Sequence, residues 1–424
     1  MSVSLSKIRA LYVGGETTFG TAPGTLIHLR ADEVDGQLEQ TAIANEFARQ
    51  GDYETAKIIG GRRGTVTTKH KLHGFLASLP TGAPTFPGDF GDANGFQALV
   101  GAIASALGAM HVGGYVTGVD YVNYLGVSDP NSLEVAAVDG LSTFKPGQAV
   151  VWPTGSPRRA YEMGWLTNIN MGGDPNTGAL LQRARKAPVD QQTLYGATTV
   201  FVRDLTPANE AMNIVGFTLQ LVGHGADDVY VCTGCEPTNV KISVKVNEPA
   251  MIEITWGVGD WTMPGSGGGP AVLAWDFPEP EPVLDWQVTI GSGSTQKYPT
   301  CKELELDCGV TKVALEGGHS ASGVEGWLAT QRRPKLTLSM HFDAALVTTF
   351  QAQTALPISV QFGSQPGRMF GFVLPAARFG ELPKRGDRDG ATILDINAEG
   401  HYYAGDTGSD VTTPVNSPLR LAWA

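Results

Sequence analysis

The residues best suited to chemistry in this sequence are 4 cysteines that form two local pairs. Cys232 and Cys235 have the spacing of a zinc-binding knuckle, whereas Cys301 and Cys308 lie further apart than a usual knuckle requires. The pairs could form one zinc site, as in a zinc-dependent hydrolase, a late disulfide in an extracellular particle, or reduced structural thiols. Reduced structural thiols or a late disulfide are the simpler interpretations, and we predict no metal ion.

Other motifs resemble sites only in part. His70 and His73 lie three apart on a predicted strand, which sends their side chains to opposite faces and disfavours a shared metal ion. The run from Gly265 to Gly269 lacks the Lys and Ser or Thr of a phosphate-binding loop. Arg385-Gly386-Asp387 spells a cell-adhesion tripeptide and Asp387-Arg388-Asp389-Gly390 resembles part of a calcium loop, but both are predicted to be solvated turns.

No nucleophile elbow of the Gly-x-Ser-x-Gly type occurs, and no two carboxylates stand out as an acid and base pair. The sequence therefore predicts no catalytic residue and no cofactor, and we expect a protein that is not an enzyme.

Composition favours a large β protein that does not hold nucleic acid tightly. A chain of 424 residues predicts two domains, and 54 Gly, 26 Pro and only 17% charged residues predict a turn-rich β fold. The net charge of −12 and pI near 5.1 disfavour phosphate binding but suit a conduit along which DNA slides. The absence of a signal peptide and of any membrane-length apolar stretch predicts synthesis in a cytoplasm and no membrane contact.

A short sequence echo connects the two halves of the chain. Arg62-Arg63-Gly64-Thr65-Val66-Thr67 resembles Arg332-Arg333-Pro334-Lys335-Leu336-Thr337 at an offset of 270 residues, which is 332 minus 62. Each copy is predicted to be a strand. Either the match is chance or a strand-rich unit is duplicated, and a duplicated unit is typical of a protein that assembles around an axis.

The predicted elements of the first module are strands, a helix and a hairpin. Strands are predicted over residues 26–34 and 65–75, with a loop over 46–53. An amphipathic helix is predicted over 92–109. Residues 112–200 lack a sustained period and are rich in Gly, Asp, Asn and Pro, so we predict an inserted, exposed and loop-rich excursion with a strand within 140–151. Apolar and polar residues then alternate over 240–246 and 252–256, which predicts a hairpin.

A Gly-rich segment at 264–270 and a proline cluster at 278–282 predict a linker. Beyond it, strands are predicted at 286–290 and 336–342, a short helix from Asp343 to Phe350, and a hairpin in which 358–362 pairs with 370–374. The predicted organisation is a first module over 1–111 and 201–262, the excursion over 112–200, a linker over 263–282, and a second module over 283–424.

Three features together resemble the tail tube proteins of long-tailed, siphovirus-like bacteriophages. They are Glu16-Thr17-Thr18-Phe19-Gly20-Thr21, the strand after each Arg pair with its following helix, and Phe372-Val373-Leu374-Pro375-Ala376-Ala377-Arg378-Phe379. The resemblance implies a mainly β fold of tandem β-sandwich or barrel modules, each with a flanking α-helix. It also implies a sixfold ring in which hairpins of neighbouring modules join into one inner barrel, and a stack of rings that forms a conduit for DNA ejection.

The resemblance implies assembly residues instead of a catalytic site. The inner-barrel hairpin candidates are Val240, Ile242, Val244, Ile252, Ile254, Trp256, Leu336, Leu338, Met340, Ile358, Val360 and Phe372. With two modules per chain, three chains fill six positions, so we predict a trimeric, pseudo-hexameric ring, with a hexamer as the alternative. From the net charge we expect acidic side chains on the lumen.

The expected partners are other copies of the chain and tail proteins such as the tape measure and the terminator. DNA is expected to pass without specific binding. The expected location is the virion tail, after assembly in the host cytoplasm. The alternative function is a distal tail or baseplate ring, or an adhesin in which the excursion binds a receptor.

Overall fold

The structure is a computed structural model that describes residues 2–4, 8–43, 58–72, 95–107, 116–119, 123–124, 132–135, 144, 146–154, 160–170, 176–185, 194–201, 216–223, 228–263, 271–273, 286–318, 322–342, 347–348, 351, 354–364, 369–388, 391–408 and 417–424. Over these residues the protein is mainly β, with large antiparallel sheets, which confirms the predicted fold class. None of the helices in these ranges is both long and apolar enough to cross a membrane.

The first half of the chain contributes these elements: β1 (Ser2–Ser4), β2 (Ala10–Gly15), β3 (Thr25–His28), β4 (Glu33–Ile43), β5 (Ile58–Lys71), α1 (Gly95–Leu107), β6 (Val116–Val119), β7 (Asn123–Tyr124), β8 (Ser132–Val135), β9 (Ala149–Pro153), β10 (Tyr161–Asn170), β11 (Asn176–Leu180), β12 (Leu194–Gly196), β13 (Thr198–Phe201), β14 (Phe217–Val222), β15 (Val229–Lys245), β16 (Met251–Val258) and β17 (Asp260–Thr262).

The second half contributes β18 (Ala271–Leu273), β19 (Trp286–Ile290), β20 (Cys301–Asp307), β21 (Val310–Glu316), β22 (Val324–Arg332), β23 (Lys335–His341), β24 (Leu356–Phe362), β25 (Phe370–Phe379), β26 (Lys384–Arg388), β27 (Ala391–Gly400), β28 (Thr407–Gly408) and β29 (Arg420–Trp423). A single 3₁₀ turn at Gly293–Thr295 follows β19.

One antiparallel sheet runs through both halves of the molecule. Its strands lie in the order β4, β5, β16, β15, β20, β23, β27 and β26. One face of this sheet, here called the core face, is buried, and the other, here called the wet face, carries polar and charged residues. Apolar and polar residues alternate along β15 and β16 in the sequence. In the structure the apolar ones lie on the core face and the polar ones on the wet face.

Further strands and α1 cover the core face. In the first half these strands follow the order β18, β3, β2, β14 and the start of β15, and the Phe217 ring meets the Trp256 ring edge-on at 5.6 Å. In the second half β19, β24, β25 and β29 are hydrogen-bonded in that order, and β13 from the first half pairs with β29. Buried side chains of both layers belong to one hydrophobic core, to which α1 contributes Leu99 and Ile103.

The excursion contains more strand than its sequence predicts. Most of its described residues form a separate sheet in which β9, β10 and β11 pair in chain order, around a small core with Trp152 and Leu166. Strand β9 is buried along most of its length, so its sequence lacks the alternation of apolar and polar residues that marks a half-buried strand. Among the described residues of the segment predicted as a strand at 140–151, residues 149–151 are strand, within β9.

Several predicted boundaries differ from the structure. The strand predicted over 26–34 is two strands, β3 and β4, because the chain leaves one sheet and enters another between them. The predicted turn at Arg385-Gly386-Asp387 is wrong, since these residues form β26. An edge strand that carries charge on both faces lacks the apolar alternation by which strands are recognised. The predicted 46–53 loop, both linker clusters and most of the predicted helix from Asp343 lie outside the described residues.

Candidate assembly interface

The two halves of the chain are joined edge to edge by β15 and β20. On the core face Ile242 lies opposite Leu306 and Val244 opposite Leu304, and all four side chains are buried. The backbone N–H of Cys308 extends this ladder by donating to the carbonyl of Val240 at 2.9 Å. We call this strand pair the internal joint. It makes the sheet continuous between the halves.

Each half contributes the same four-stranded unit to the continuous sheet. Gly36 pairs with Val66 and Leu306 with Leu336, so the offset of 270 (306 minus 36, 336 minus 66) relates both strands of each pair. The next strands in the two units, β16 and β27, are related by an offset of 142 (394 minus 252), because His70 pairs with Ile252 and the equivalent Met340 pairs with Leu394. In chain order, both units place their strands first, second, fourth, third. The internal joint therefore links the third strand of one unit to the first strand of the next.

The sequence contains a signal for this equivalence that our sequence analysis missed. Residues 33–37 read Glu-Val-Asp-Gly-Gln and residues 303–307 read Glu-Leu-Glu-Leu-Asp, again 270 apart. Acidic residues at alternate positions mark the wet face of β4 and of β20.

The wet face carries a row of alternating charges that crosses the sheet. Residues directly opposite one another along this row are, in order, Glu33, Lys69, Glu253, Lys241, Asp307, Lys335, Glu399 and Arg378. The Nζ of Lys69 lies 2.7 Å from Glu33 and that of Lys335 lies 3.6 Å from Glu399. Opposite charges on facing strands favour one register over its alternatives, because a slip brings like charges together.

Nine of the twelve hairpin candidates lie in the continuous sheet. Val240, Ile242 and Val244 are on β15, Ile252, Ile254 and Trp256 on β16, and Leu336, Leu338 and Met340 on β23. All nine side chains are buried on the core face. Their position gives them a packing role, and the groups that face solvent on these strands are their polar neighbours.

The other three candidates lie in the covering layer. Ile358 and Val360 are on β24 and Phe372 is on β25, and Val360 pairs with Phe372 as the sequence predicts. The hairpin that corresponds to β15 and β16 in the second unit is formed by β26 and β27, which the sequence analysis did not include among its candidates.

Two edges of the continuous sheet lack a strand along part of their length. Among the described residues β26 pairs with β27 alone, so its other edge has no strand beside it. At the opposite border β1 pairs with β4 only from Gln37 to Glu39, and no described strand lies beside Glu33–Gly36. These edges belong to a third strand and a first strand, the two kinds that meet in the internal joint.

The ribbon of β21 and β22 extends the second unit and packs onto the first. Buried Lys312 donates to Glu236 at 2.6 Å and to the Ser105 carbonyl at 2.9 Å, and the Ser105 hydroxyl donates to Glu236 at 3.0 Å. The Trp327 indole donates to the Gly234 carbonyl at 2.9 Å. Because Gly257 has no Cβ, the Trp327 ring packs directly on its backbone.

Glu16, from the segment that carries the family resemblance, fixes the turn after β2. Its carboxylate accepts hydrogen bonds from the Thr218 hydroxyl at 2.7 Å and from the backbone N–H groups of Gly234 at 2.9 Å and Gly20 at 2.7 Å. Burial raises the Glu16 pKa to about 7, although these hydrogen bonds oppose the shift.

The residues considered for chemistry take up structural positions. All 4 cysteines are buried free thiols, and burial raises the pKa of Cys232 and of Cys301 to about 12. His70 is buried, with its ring nitrogens 2.7 Å from the Arg30 carbonyl and 2.8 Å from the Thr68 hydroxyl. His73 and Gly265–Gly269 lie outside the described residues, and within those described no metal-binding group of three or more His, Cys, Asp or Glu occurs.

The sequence also has a bearing on which known proteins the chain resembles. No protein-family model matches the sequence, and no curated protein sequence matches it.

Proposed function

We propose that this protein is a structural subunit that assembles through its sheet edges into rings, and that the rings stack into a phage tail tube through which DNA leaves the virion. The observation that carries this proposal is the pair of equal four-stranded units joined edge to edge, with no described strand beside Glu33–Gly36 of the first strand or beside the outer edge of the third strand β26. The resemblance in the sequence supplies the tail tube as the biological setting.

The geometry favours repeated joining between identical chains. An edge that pairs with a different edge of the next copy forms a heterologous contact, and such contacts close into a ring or continue as a helix. Closure removes every bare strand edge, which otherwise exposes unpaired backbone groups. Two units per chain and six positions per ring give three chains, so the proposed ring is a trimer with pseudo-sixfold symmetry.

The charge distribution supports a conduit better than a DNA-binding surface. Lysines on the wet face lie opposite carboxylates on neighbouring strands, as Lys69 does opposite Glu33 and Glu253. Tight phosphate binding needs clustered cations without competing carboxylates. A lining of this kind would let DNA slide, and a density map with an uninterrupted lysine surface on the bore would contradict it.

Electron microscopy and native mass spectrometry of the purified full chain test the proposal. We expect hollow filaments with a constant axial repeat, and isolated rings with the mass of three chains. Rings of six chains would overturn the trimer and leave the tube intact. Rings that never stack would favour the distal tail or baseplate alternative, and a monomer at high concentration would refute assembly altogether.

A further inference from the structure

We infer that the joint between chains pairs β26 of one copy with β4 of the next in the register of the internal joint, and that opposite charge instead of apolar packing holds it together. This inference rests on the proposed function. Its partner is a second copy of the chain, and the surfaces are the open edges of Lys384–Arg388 and Glu33–Gly36.

The register follows from the two equivalent units. Strand β26 corresponds to β15 at an offset of 143 (385 minus 242), because Ile242 pairs with Ile252 and Arg385 with the equivalent Leu394. Strand β4 corresponds to β20 at the offset of 270. The internal pair of Ile242 and Leu306 thus becomes Arg385 opposite Gly36 between chains.

The same transfer places Gly386 opposite Asp35, Asp387 opposite Val34 and Arg388 opposite Glu33. On the core face, the two aliphatic pairs of the internal joint are thereby replaced by pairs that each contain a charged residue. Arg385 already lies over the Phe342 ring, 5.2 Å from its centre. The joint between chains therefore buries less apolar surface than the internal joint and gains less from the hydrophobic effect.

Charge on the wet face compensates. The first strand presents Glu33 and Asp35 at alternate positions, while the register places Arg388 of β26 opposite Glu33 and Lys384 at the position of Gln37, two residues from Asp35. In the isolated chain Lys384 has an exposed partner, Glu381, at 3.6 Å with side chains 75% and 64% exposed, which holds it weakly. In this joint Arg388 lies opposite Glu33 and adds one opposite charge to the end of the next copy's charge row, while its own neighbour on β27 is the uncharged Ala391.

The strand β1 occupies part of the same edge of β4. Residue Pro383, just before β26, is equivalent to Val240 and lacks a backbone N–H, so β26 does not extend further as a ladder strand. At the position opposite it, Leu38 already pairs with Val3 of β1, and Ser4 of β1 pairs with Gln37. The new backbone pairs therefore run from Arg385 opposite Gly36 to Arg388 opposite Glu33, and Lys384 lies at the junction with β1.

A charge exchange tests the joint in the full chain. One variant reverses the acidic edge (Glu33→Lys with Asp35→Lys), a second reverses the basic edge (Lys384→Glu with Arg388→Glu), and a third carries all four changes. Each edge variant should raise the concentration needed for assembly by about tenfold or more, and the four changes together should restore most of the loss. Wild-type assembly should weaken in about 1 M salt, where the screening length is about 3 Å.

A cysteine pair tests the register independently. Asp35→Cys with Gly386→Cys should form a disulfide between chains, because directly opposite residues have Cα atoms about 5 Å apart. Within one chain the two positions are seven strand spacings apart, roughly 30 Å, so the bond cannot form inside a monomer. Asp35→Cys with Lys384→Cys is the control for a register that has slipped by two residues.

The outcomes separate this inference from the proposed function. Suppose that the wild type assembles, that the edge variants assemble equally well, and that the control cysteine pair cross-links best. The proposed joint is then wrong, while the proposed ring stands. If the edge variants fail and the fourfold variant does not recover, charge pairing across this joint is refuted. A wild type that stays monomeric refutes both. Matching thermal unfolding of all variants as monomers shows that lost assembly does not reflect lost folding.

Discussion

Removal of the Lys312 ammonium group should release the ribbon of β21 and β22 from the first unit. The Lys312 and Glu236 side chains are each only 8% exposed and lie 2.6 Å apart. In the variant Lys312→Met the aliphatic stem is kept, but the Glu236 carboxylate remains buried and, among the residues that the structure describes, keeps the Ser105 hydroxyl as its hydrogen-bond donor. Leaving one partner of a buried ion pair typically costs about 3–5 kcal/mol.

Urea unfolding of the full chain at pH 7, followed by tryptophan fluorescence, measures this cost. The second variant, Lys312→Met with Glu236→Gln, removes both charges and should recover about half of the loss or more, because no charge is then left buried. Lys335→Met is the matched control, since its ion pair with Glu399 is exposed and lies away from both open edges, so its loss should cost about 1 kcal/mol or less.

The reasoning fails if Lys312→Met costs less than about 1 kcal/mol, or if the double variant is as unstable as the sum of the single changes. Hydrogen exchange locates the effect: the ribbon amides should lose protection first, because Lys312 anchors them to α1 and β15.

Three further predictions follow from the core of the first half and its contact with the ribbon. Gly257→Ala forces a Cβ into the Trp327 ring and should destabilise the chain by about 2 kcal/mol in urea unfolding, whereas Gly318→Ala, with open space around it, should have little effect. Because the folded-state pKa of Glu16 is about 7 and the ordinary value is 4.5, the folded state binds more protons between these pH values. Stability should therefore fall on the order of 2 kcal/mol from pH 4.5 to 8 and become flatter in Glu16→Gln, as thermal unfolding against pH would show; an unchanged slope contradicts this assignment. The 4 buried thiols should react slowly with a thiol reagent in the native protein and fully in urea, and fast native labelling would contradict their burial.

The sequence predicts the mainly β fold and the hairpin of β15 and β16 because both depend on local information. Strict alternation of Val240, Ile242 and Val244 with polar residues records a strand with one buried face. The helix is similarly visible in its apolar period, and the structure places it at Gly95–Leu107, within the predicted range. These features need no knowledge of which strands are neighbours.

The candidate interface depends on neighbours and was therefore largely hidden. The charge row brings Glu33 and Glu399 into one line across the sheet, and no spacing in the sequence connects them. Strand β26 is short and charged because it lies at an edge, and a sequence pattern of that kind is shared with turns. The offset of 270 is visible in the two Arg pairs. That it relates two equal units, with the third strand of one joined to the first strand of the next, follows only from the pairing registers of the strands.

The internal joint and the proposed joint between chains have different physical requirements, which would explain why only the internal joint is apolar. The internal joint forms within a chain, where the ends are always at high effective concentration, and its buried Ile242 and Leu306 can join the permanent core. In the proposed joint between chains, the strand edges are exposed to solvent until assembly, and the subunit must stay soluble. An exposed aliphatic strand would pair indiscriminately. Charged residues such as Lys384 protect the free subunit, and the same charges become specific when the complementary acidic edge of another copy arrives. On this argument, replacing Arg385 and Asp387 with aliphatic residues should make the subunit aggregate before it forms rings, and light scattering of the fresh monomer distinguishes that outcome from faster ordered assembly.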